Sequence, residues 1–437
     1  MHERSMRTAR LVTAAACVIV ALLANAAAAQ PAGAGATPTL GDPTELMKLA
    51  EQDLPAISFA HPFVRVSPTY KRCIYIRRTG GDYKAMLMIH TFGSPSKEFG
   101  APTAVRISPI YWRWSLSGRC WRADGMRVAY LLAGKKDGMA GEDTRHRLGL
   151  AHFDWDTPVP QQAGGGATKG AARSHTAVTY AAAGKQLWHA QSDLRKYTSA
   201  RISGDRGVVY EAKGVAIYGL TTSPDGKLLA WTEASPHGKR ARPADPADAD
   251  AVEANARARL GKPAPPKAAP RFSLVVMDPK VKKVVHRVGM RQRPGGPLVW
   301  AGGGKLLCYD DVAEVERIFR AEVKALDVTD GKIKLVARDG RPVGAVGSWL
   351  IINRGPACIP MRQHLSSFIP PDAKDDRPQA NAIVLCDLAG GTKPRVLLPG
   401  ALAQQVVGGQ LIYAYKSGKD VLVMKASLTA KSDKPAK

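Results

Sequence analysis

The stretch LTTSPDGKLLAW, from Leu220 to Trp231, constrains the fold more than any other part of the sequence. Pro224 presets φ for the second position of a tight turn, Asp225 can bond its own turn backbone, and Gly226 accepts the positive φ that follows. The stretch therefore predicts a hairpin corner. The strand after it has apolar residues that can occupy both faces, which is typical of sheets packed between neighbouring sheets.

Weaker copies of this stretch recur along most of the chain. The turn glycine recurs at Gly125, Gly184, Gly304, Gly347 and Gly409, and Tyr70 takes its place in one degenerate copy. An apolar residue stands three positions after each of these anchors. Five positions after the anchor, four copies have an aromatic residue: Tyr75, Tyr130, Trp231 and Tyr309. The two-residue spacing is strand periodicity.

A second phrase, an apolar run that ends in aspartate, follows four of the anchors. It ends at Asp154, Asp278, Asp327 and Asp387. Its distance from the anchor varies, so insertions fall between the two phrases. Repeats of about 40 to 45 residues with four short strands are typical of propeller blades. We therefore predict an all-β protein, a β-propeller of seven four-stranded blades with a short N-terminal helix and loop insertions. A β-sandwich or two smaller β domains is the alternative.

The phrase SPDGKLLAW, residues 223–231, also resembles the TolB-type, WD-like propeller repeats of bacterial periplasmic proteins. The resemblance covers roughly residues 57–428, and only the copy at Gly226 matches cleanly. The other copies keep the glycine and the apolar spacing but lose Ser-Pro-Asp. The resemblance implies a propeller in an exported protein.

Composition divides the chain into four segments. Three arginines, an apolar run and a small-residue cleavage site predict a secretory signal peptide over residues 1–29. Residues 30–55 form a flexible leader and a short helix from Asp42 to Leu54, residues 56–430 the propeller, and residues 431–437 a basic tail. The rest of the chain has no apolar run long enough to span a bilayer. We expect a periplasmic or secreted protein.

The two ends of the propeller are expected to meet. The last repeat lacks an outermost strand, because only Val421 to Leu428 follows its first hairpin. A strand around Ala56 to Ala60 could complete the sheet, and such closure would remove free edges.

The formal net charge is +26, and removing residues 1–29 takes away three arginines and one glutamate, which leaves 26 − 3 + 1 = +24. Such a charge favours an acidic protein or an anionic glycan or other envelope component as partner. An even spread of charge with no dedicated partner is the alternative. We expect a monomer that does not bind nucleic acid.

Five cysteines remain after residue 29, so at least one must be unpaired or intermolecular. Cys73 and Cys308 lie in the strands after their anchors, where a buried thiol packs as a small apolar group. A disulfide between Cys358 and Cys386 is an open alternative.

Local catalytic signatures are missing. The sequence has no C-x-x-C or H-E-x-x-H metal spacing, no G-x-S-x-G elbow and no phosphate-binding loop, and we predict no cofactor and no metal. His189 falls in the aromatic position of its repeat, which favours a structural role. Residues 325–332 resemble the docking repeat of quinone-dependent propeller dehydrogenases, but Leu335 replaces the tryptophan that ends those repeats.

The predicted binding site combines an aromatic and basic cluster with cations of the insertions. If the anchor turn joins the first two strands of each blade, the loops between the second and third strands all lie on the opposite rim. The predicted site residues are Trp112, Arg113, Trp114, Lys135, Lys136, Arg145, Arg147, Lys239, Arg240 and Arg354. We predict a non-enzymatic scaffold that binds an acidic protein or polyanionic ligand through this face. The alternative is a carbohydrate-active or hydrolytic propeller enzyme with a dispersed active site.

Overall fold

The computed structural model describes residues 37–54, 63–78, 85–92, 103–107, 119–133, 148–154, 161–162, 174–181, 186–193, 198–235, 272–292, 294–315, 318–358, 378–390 and 392–430. The segments predicted as a signal peptide and as a basic tail lie outside these residues. Within them the secondary structure is almost entirely β, as the repeats predict, and three short 3-10 helices interrupt it.

The strands of each sheet follow one another along the chain. The described chain begins with β1 (Pro38–Leu40), β2 (Thr44–Ala50) and a 3-10 helix, Glu51–Asp53. The first blades contain β3 (Val64–Val66), β4 (Arg72–Arg78), β5 (Ala85–Thr91), β6 (Thr103–Ile107), β7 (Arg127–Ala133), β8 (Leu148–Asp154), β9 (Gln161–Gln162), β10 (Ser174–Tyr180), β11 (Leu187–Ser192), β12 (Ala200–Gly204) and β13 (Gly207–Ala212).

The second half of the chain continues the same order. Its strands are β14 (Ala216–Thr222), β15 (Leu229–Ala234), β16 (Phe272–Asp278), β17 (Lys283–Met290), β18 (Val299–Ala301), β19 (Leu306–Val315), β20 (Ile318–Asp327), β21 (Ile333–Arg338), β22 (Gly340–Val346), β23 (Trp349–Arg354), β24 (Ala382–Asp387), β25 (Arg395–Pro399), β26 (Ala401–Val407), β27 (Gln410–Ser417) and β28 (Asp420–Ala430). The other 3-10 helices are Gly302–Gly304 and Pro356–Cys358.

Consecutive strands pair antiparallel to form the blades of a propeller. Strands β3–β6, β10–β13, β14–β17, β18–β21 and β22–β25 each form a four-stranded sheet, and β7–β9 form a three-stranded one. In that smaller sheet the innermost position is held by a single bridge between Trp121 and Val128. Trp121 is buried.

A five-stranded sheet, here called the closing sheet, joins the two ends of the chain. It contains β26, β27 and β28, and both β1 and β2 pair with the far edge of β28. The prediction of seven four-stranded blades is therefore wrong: six sheets have the three or four strands of a blade, and the closing sheet has five. The reason is that the N-terminal strands β1 and β2 add to the C-terminal sheet. In addition, the blade of β7–β9 has a single bridge in place of an innermost strand.

The N-terminal helix predicted from Asp42 to Leu54 is also wrong. Thr44–Ala50 is a strand paired along β28, and only Glu51–Asp53 is helical. Met47 and Leu49 pack against the buried core that contains Val421 and Val423. Pairing with an open sheet edge thus outweighs the local helix preference of this segment. The closing strands come from residues 38–50, whereas the segment Ala56 to Ala60 lies outside the described residues.

The closing sheet packs directly against the first blade. Phe63 N donates to Gln404 Oε1 at 2.8 Å, and Val66 N donates to Gln405 Oε1, also at 2.8 Å. Tyr70, the degenerate anchor, has a φ of +55° and donates its hydroxyl to the carbonyl of Val407. Amide and phenol groups therefore hold the two ends of the ring together across the blade boundary.

The repeat positions have the roles that the sequence predicts. Gly226 in the anchor turn has a φ of +72°, a conformation that favours glycine. Among the anchor turns that the structure describes, each joins the first two strands of its sheet. The aromatic positions Tyr75, Tyr130, Trp231 and Tyr309 are all buried, and three of them, Tyr75, Trp231 and Tyr309, lie in cores shared by two neighbouring sheets.

The aspartates that end the third strands cap the turn into the outermost strand. Asp278 Oδ1 accepts from Lys280 N at 2.8 Å, and Asp387 Oδ1 accepts from Ala389 N at 2.8 Å. Asp327 Oδ1 accepts from Thr329 N at the same distance. The apolar run that ends in aspartate therefore marks a tight turn in which the aspartate side chain accepts hydrogen bonds from backbone N–H groups.

Candidate functional site

The antiparallel strand order gives the propeller two different rims. Anchor turns and the turns between third and fourth strands lie on one, here called the turn rim. The loops between second and third strands, and the connections between blades, lie on the other, here called the insertion rim. Residues 134–147, 236–271 and 359–377, which lie outside the described residues, each fall between a second and a third strand. All three insertions therefore leave from the insertion rim.

Nine of the ten predicted site residues lie outside the described residues: Trp112, Arg113, Trp114, Lys135, Lys136, Arg145, Arg147, Lys239 and Arg240. Arg354 is the one that the structure describes. It ends β23 at the insertion rim and is half-buried. Its Nε is buried and has no hydrogen-bond partner in the described part of the chain.

A shallow cleft lies next to Arg354, where three consecutive innermost strands begin. It is small, with a cavity volume of about 10 Å³, which is room for about one water molecule. Its walls are residues 295–297 before β18, residues 341–343 of β22, Asn353 and Ala357 after the second strand of that blade, and Leu402 of β26.

Asp310 holds one wall of this cleft in place. Its carboxylate is buried and accepts from Gly295 N and from Gly296 N, each at 2.8 Å. Arg341 Nε lies 3.9 Å from Asp310 Oδ2. Burial raises the pKa of Asp310, while Arg341 and the two N–H groups act in the opposite direction. A Cβ on Gly295 would lie 2.7 Å from Arg341 Nε, so a side chain at this position would require the Arg341 guanidinium to move.

The neighbouring carboxylate, Asp311, is also used by the fold. Its Oδ1 accepts from Arg291 N at 3.0 Å and from Gln292 N at 3.3 Å, and its Oδ2 lies 3.1 Å from Lys324 Nζ. Both carboxylates therefore anchor the connection that enters β18. Neither is placed as an uncommitted general acid or base.

The opposite wall is fixed by an amide that bridges two sheets. Asn353 Nδ2 donates to Ala403 O at 2.9 Å, and Ala403 N donates to Asn353 Oδ1 at 2.7 Å. Arg341 Nη1 donates to Ala357 O at 3.2 Å. The cleft thus has walls fixed by hydrogen bonds, a mostly apolar lining, and one cation, Arg341, that lies beside the Asp310 carboxylate.

Other side chains that could support chemistry are engaged in the core. The five cysteines after residue 29 are all buried and free, so Cys358 and Cys386 form no disulfide. Cys73 and Cys308 pack in the core, as predicted. The ring of His189 lies 5.1 Å from that of His175, and burial lowers the pKa of His189. Within the described ranges, no three His, Cys, Asp or Glu side chains are grouped as metal ligands would be.

The sequence analysis missed Asp310, Arg341 and the Gly295-Gly296 pair. The signal was present in the run R-Q-R-P-G-G-P, residues 291–297, since two glycines in a blade connection indicate a close approach of the backbone. The partner of the two glycines, Asp310, could not be predicted from the sequence, because it lies on β19, the second strand of the sheet that the connection enters.

Comparisons with known proteins found similar solved structures but no matching family. No family model matches the sequence, and no curated protein matches it. Similar solved structures include TolB from Acinetobacter baumannii, with 12% identity over 82% of this chain and 79% of that chain and a TM-score of 0.36. They also include the β-propeller domain of the Trilobed protease from Pyrococcus furiosus, with 10% identity over 91% of this chain and 84% of that chain and a TM-score of 0.35.

A third similar structure is an oligogalacturonate lyase in complex with manganese, with 10% identity over 90% of this chain and 98% of that chain and a TM-score of 0.44. Similarity at this level concerns the fold alone. The strand pairing makes the chain a β-propeller, and the solved structures to which it is similar include TolB and another propeller protein. In the part of the chain that the structure describes, no helix is long and apolar enough to cross a membrane.

Proposed function

We propose that this protein is an exported, non-enzymatic propeller scaffold that binds an acidic protein or a polyanionic envelope ligand through its insertion rim. The supporting observation is that, at the cleft on this rim, the carboxylates are bound by other groups of the protein and arginines are present. The carboxylates of Asp310 and Asp311 are committed to backbone N–H groups and to cations. Arg341 lines the cleft, and Arg354 follows the lining residue Asn353 at the end of β23 on the same rim.

The net charge of the chain supports the same class of partner. A protein with a formal charge of +26 attracts anions at long range, and cations on loops would add short-range contacts. Long-range attraction of this kind is screened within about 10 Å at 0.1 M salt. Binding is therefore expected to weaken as the salt concentration rises.

The enzymatic alternative needs at least one titratable group positioned for proton transfer. A hydrolytic or carbohydrate-active site of the common type uses a pair of carboxylates that face the substrate. In the described part of the cleft both carboxylates face the protein backbone instead. This arrangement favours a binding role.

Charge reversal on the two rims tests the proposal. The insertion-rim variant carries Lys135→Glu, Lys136→Glu, Arg145→Glu and Arg147→Glu. The matched control carries four reversals on the turn rim: Lys71→Glu, Arg206→Glu, Lys227→Glu and Lys305→Glu. Binding to a polyglutamate peptide is measured by fluorescence anisotropy, and capture from an envelope extract is compared at low and high salt.

The insertion-rim variant should lose affinity for polyglutamate by more than the control, and its capture should lose its salt dependence. Equal losses in both variants would mean that the charge acts only globally. A third variant, Arg354→Gln, tests the one predicted site residue that the structure describes on this rim. It should weaken binding while the thermal unfolding temperature stays unchanged, because Arg354 makes no hydrogen bond through Nε to the described residues.

A further inference from the structure

The exposed aliphatic side chains of the described residues are concentrated in one part of the fold. All six large ones lie on outermost strands or on the turns that enter them: Val208, Val281, Val285, Ile333, Leu335 and Val396. Val281 is 64% exposed, Val396 54% and Leu335 50%. Each lies at or near the beginning of its outermost strand, and therefore close to the turn rim. Exposed apolar side chains grouped in this way mark an interaction surface.

Exposed cations alternate with these aliphatic residues in three consecutive blades. They are Lys280, Lys282, Lys283, Lys332, Lys334, Lys393 and Arg395. Four aspartates lie in the same turns: Asp278, Asp327 and Asp387 cap the turn backbone, and Asp330 pairs with Lys332 at 2.8 Å. They keep their charge, so the seven cations and four carboxylates leave a net charge of 7 − 4 = +3. We call residues 280–285, 332–335 and 393–396 the basic edge.

Contacts between blades join these segments into one surface. His286 Nε2, on the outermost strand of one blade, lies 2.8 Å from Val328 O in the turn of the next. Lys334 Nζ, one blade further, donates to Leu388 O in the following turn. Each turn thus rests on the outermost strand before it. The basic edge therefore runs continuously along three blades.

The outermost strands are poorly suited to pairing with a further strand. Each of the three has a one-residue irregularity in its register: between the partners of Val276 and Met277, of Val323 and Lys324, and of Ile383 and Val384. Such bulges interrupt the row of free backbone groups that an added strand would need. Recognition through side chains, across several turn tips at once, fits this surface better than the addition of a peptide strand.

We propose that the basic edge docks the protein onto an anionic lipid bilayer. The turn tips of one rim can meet a flat surface together, whereas a short peptide would contact one or two of them. Aliphatic side chains would enter the interface between headgroups and acyl chains, and the cations would lie among the phosphates. This inference concerns a different rim and a different ligand from the proposed function, so each can fail alone.

Vesicle binding tests the inference. The full chain after residue 29 is mixed with vesicles of phosphatidylcholine alone, or of phosphatidylcholine and phosphatidylglycerol in equal parts, and the bound fraction is measured by co-sedimentation. Binding is expected only to the anionic vesicles and should decrease with salt. The charge variant is Lys280→Gln, Lys283→Gln and Lys393→Gln. Each cation near the surface contributes about a fivefold factor in partitioning, so this variant should lose on the order of 100-fold.

Two further variants separate the contribution of the aliphatic side chains from that of the cations and from a general effect of charge. The aliphatic variant, Val281→Ser, Leu335→Ser and Val396→Ser, keeps every charge and should still lose at least tenfold, by an order-of-magnitude estimate from the loss of buried apolar surface. The matched control removes three exposed cations of the insertion rim, with Lys213→Gln, Arg291→Gln and Lys419→Gln, and should stay within about twofold of the unmodified protein.

Several results would overturn the inference. These are the absence of binding to anionic vesicles, equal losses in the charge variant and the insertion-rim control, or unchanged binding of the aliphatic variant. Vesicle binding that is lost only with the four reversals at Lys135, Lys136, Arg145 and Arg147 would also overturn it. Capture of an acidic protein through the basic edge, without vesicle binding, would assign this surface to a protein partner instead.

Discussion

Glu233 provides the most direct quantitative test of how neighbouring blades are held together. Its side chain is 3% exposed and accepts from donors on three strands. Tyr210 OH donates to Oε1 at 2.6 Å from the preceding blade, Trp231 Nε1 donates to the same oxygen at 3.0 Å, and Arg287 Nη1 donates to Oε2. The two oxygens therefore have different partners, which two substitutions can separate.

The substitution Glu233→Gln should cost about 1 kcal/mol of unfolding free energy. The amide oxygen can still accept from Tyr210 and Trp231, while the amide nitrogen faces Arg287. A hydrogen bond to a charged group is worth about 1.5–3 kcal/mol. Arg287 is 45% exposed and can turn to water, so the loss is discounted for solvation.

The substitution Glu233→Ala should cost about 3 kcal/mol. It removes both oxygens and leaves the indole N–H of Trp231, whose side chain is fully buried, without an acceptor. An unsatisfied buried donor costs about 1–3 kcal/mol, and the loss of the Tyr210 contact and of side-chain packing adds to this.

Urea unfolding followed by tryptophan fluorescence measures both values, with Glu45→Gln on the exposed side of β2 as a control that should change nothing. In an Arg287→Met background the cost of Glu233→Gln should largely disappear, because the two residues interact directly. Equal costs for the glutamine and alanine variants, or a cost below about 0.5 kcal/mol for alanine, would refute the assignment of separate roles to the two oxygens.

Two further predictions concern pH and ring closure. Burial raises the pKa of Cys120 to about 11 from 9.0 and that of Tyr210 to about 12 from 10.0. Because the folded state holds these protons more tightly, their contribution is complete below pH 9 and is lost as the pH rises to 12. The thermal unfolding temperature should therefore fall over this range, and a flat profile would contradict the burial of these groups. In the second, a chain that begins at residue 51 should unfold at a lower temperature than one that begins at residue 37, and should self-associate through the exposed edge of β28. Light scattering after size-exclusion chromatography measures the association, and an equally stable monomer would show that β1 and β2 are dispensable.

Much of the fold could be predicted because the repeat depends on local chemistry. The turn at Gly226 needs positive φ, and the strand after it needs apolar residues with a two-residue period, so both leave a direct trace in the sequence. Tyr70 shows the limit of such signals. Its φ of +55° matches the glycine anchors, but a contact with Val407 in the closing sheet accompanies it, and that contact joins residues 337 positions apart.

The errors arose where long-range contacts decide the outcome. The segment TELMKLA, residues 44–50, contains mostly good helix formers, yet it forms β2 because β28 offers an open edge. The cleft was missed for a related reason. Asp310 follows an aromatic strand position and resembles any polar residue at a strand end. Only the approach of Gly295 and Gly296 from the connection before β18 gives it a role.

The two rims differ in how freely their loops can change length, and this difference links the fold to both proposals. On the turn rim, side-chain caps such as Asp278 and positive-φ glycines such as Gly226 fix short turns, so any added residue would break a hydrogen bond. On the insertion rim, carboxylates such as Asp310 hold a connection between blades, while the three insertions fall in the loops between second and third strands. A rim of fixed turns presents repeated side chains at regular positions, as docking to a uniform surface requires. A rim of variable loops can be shaped to one particular partner.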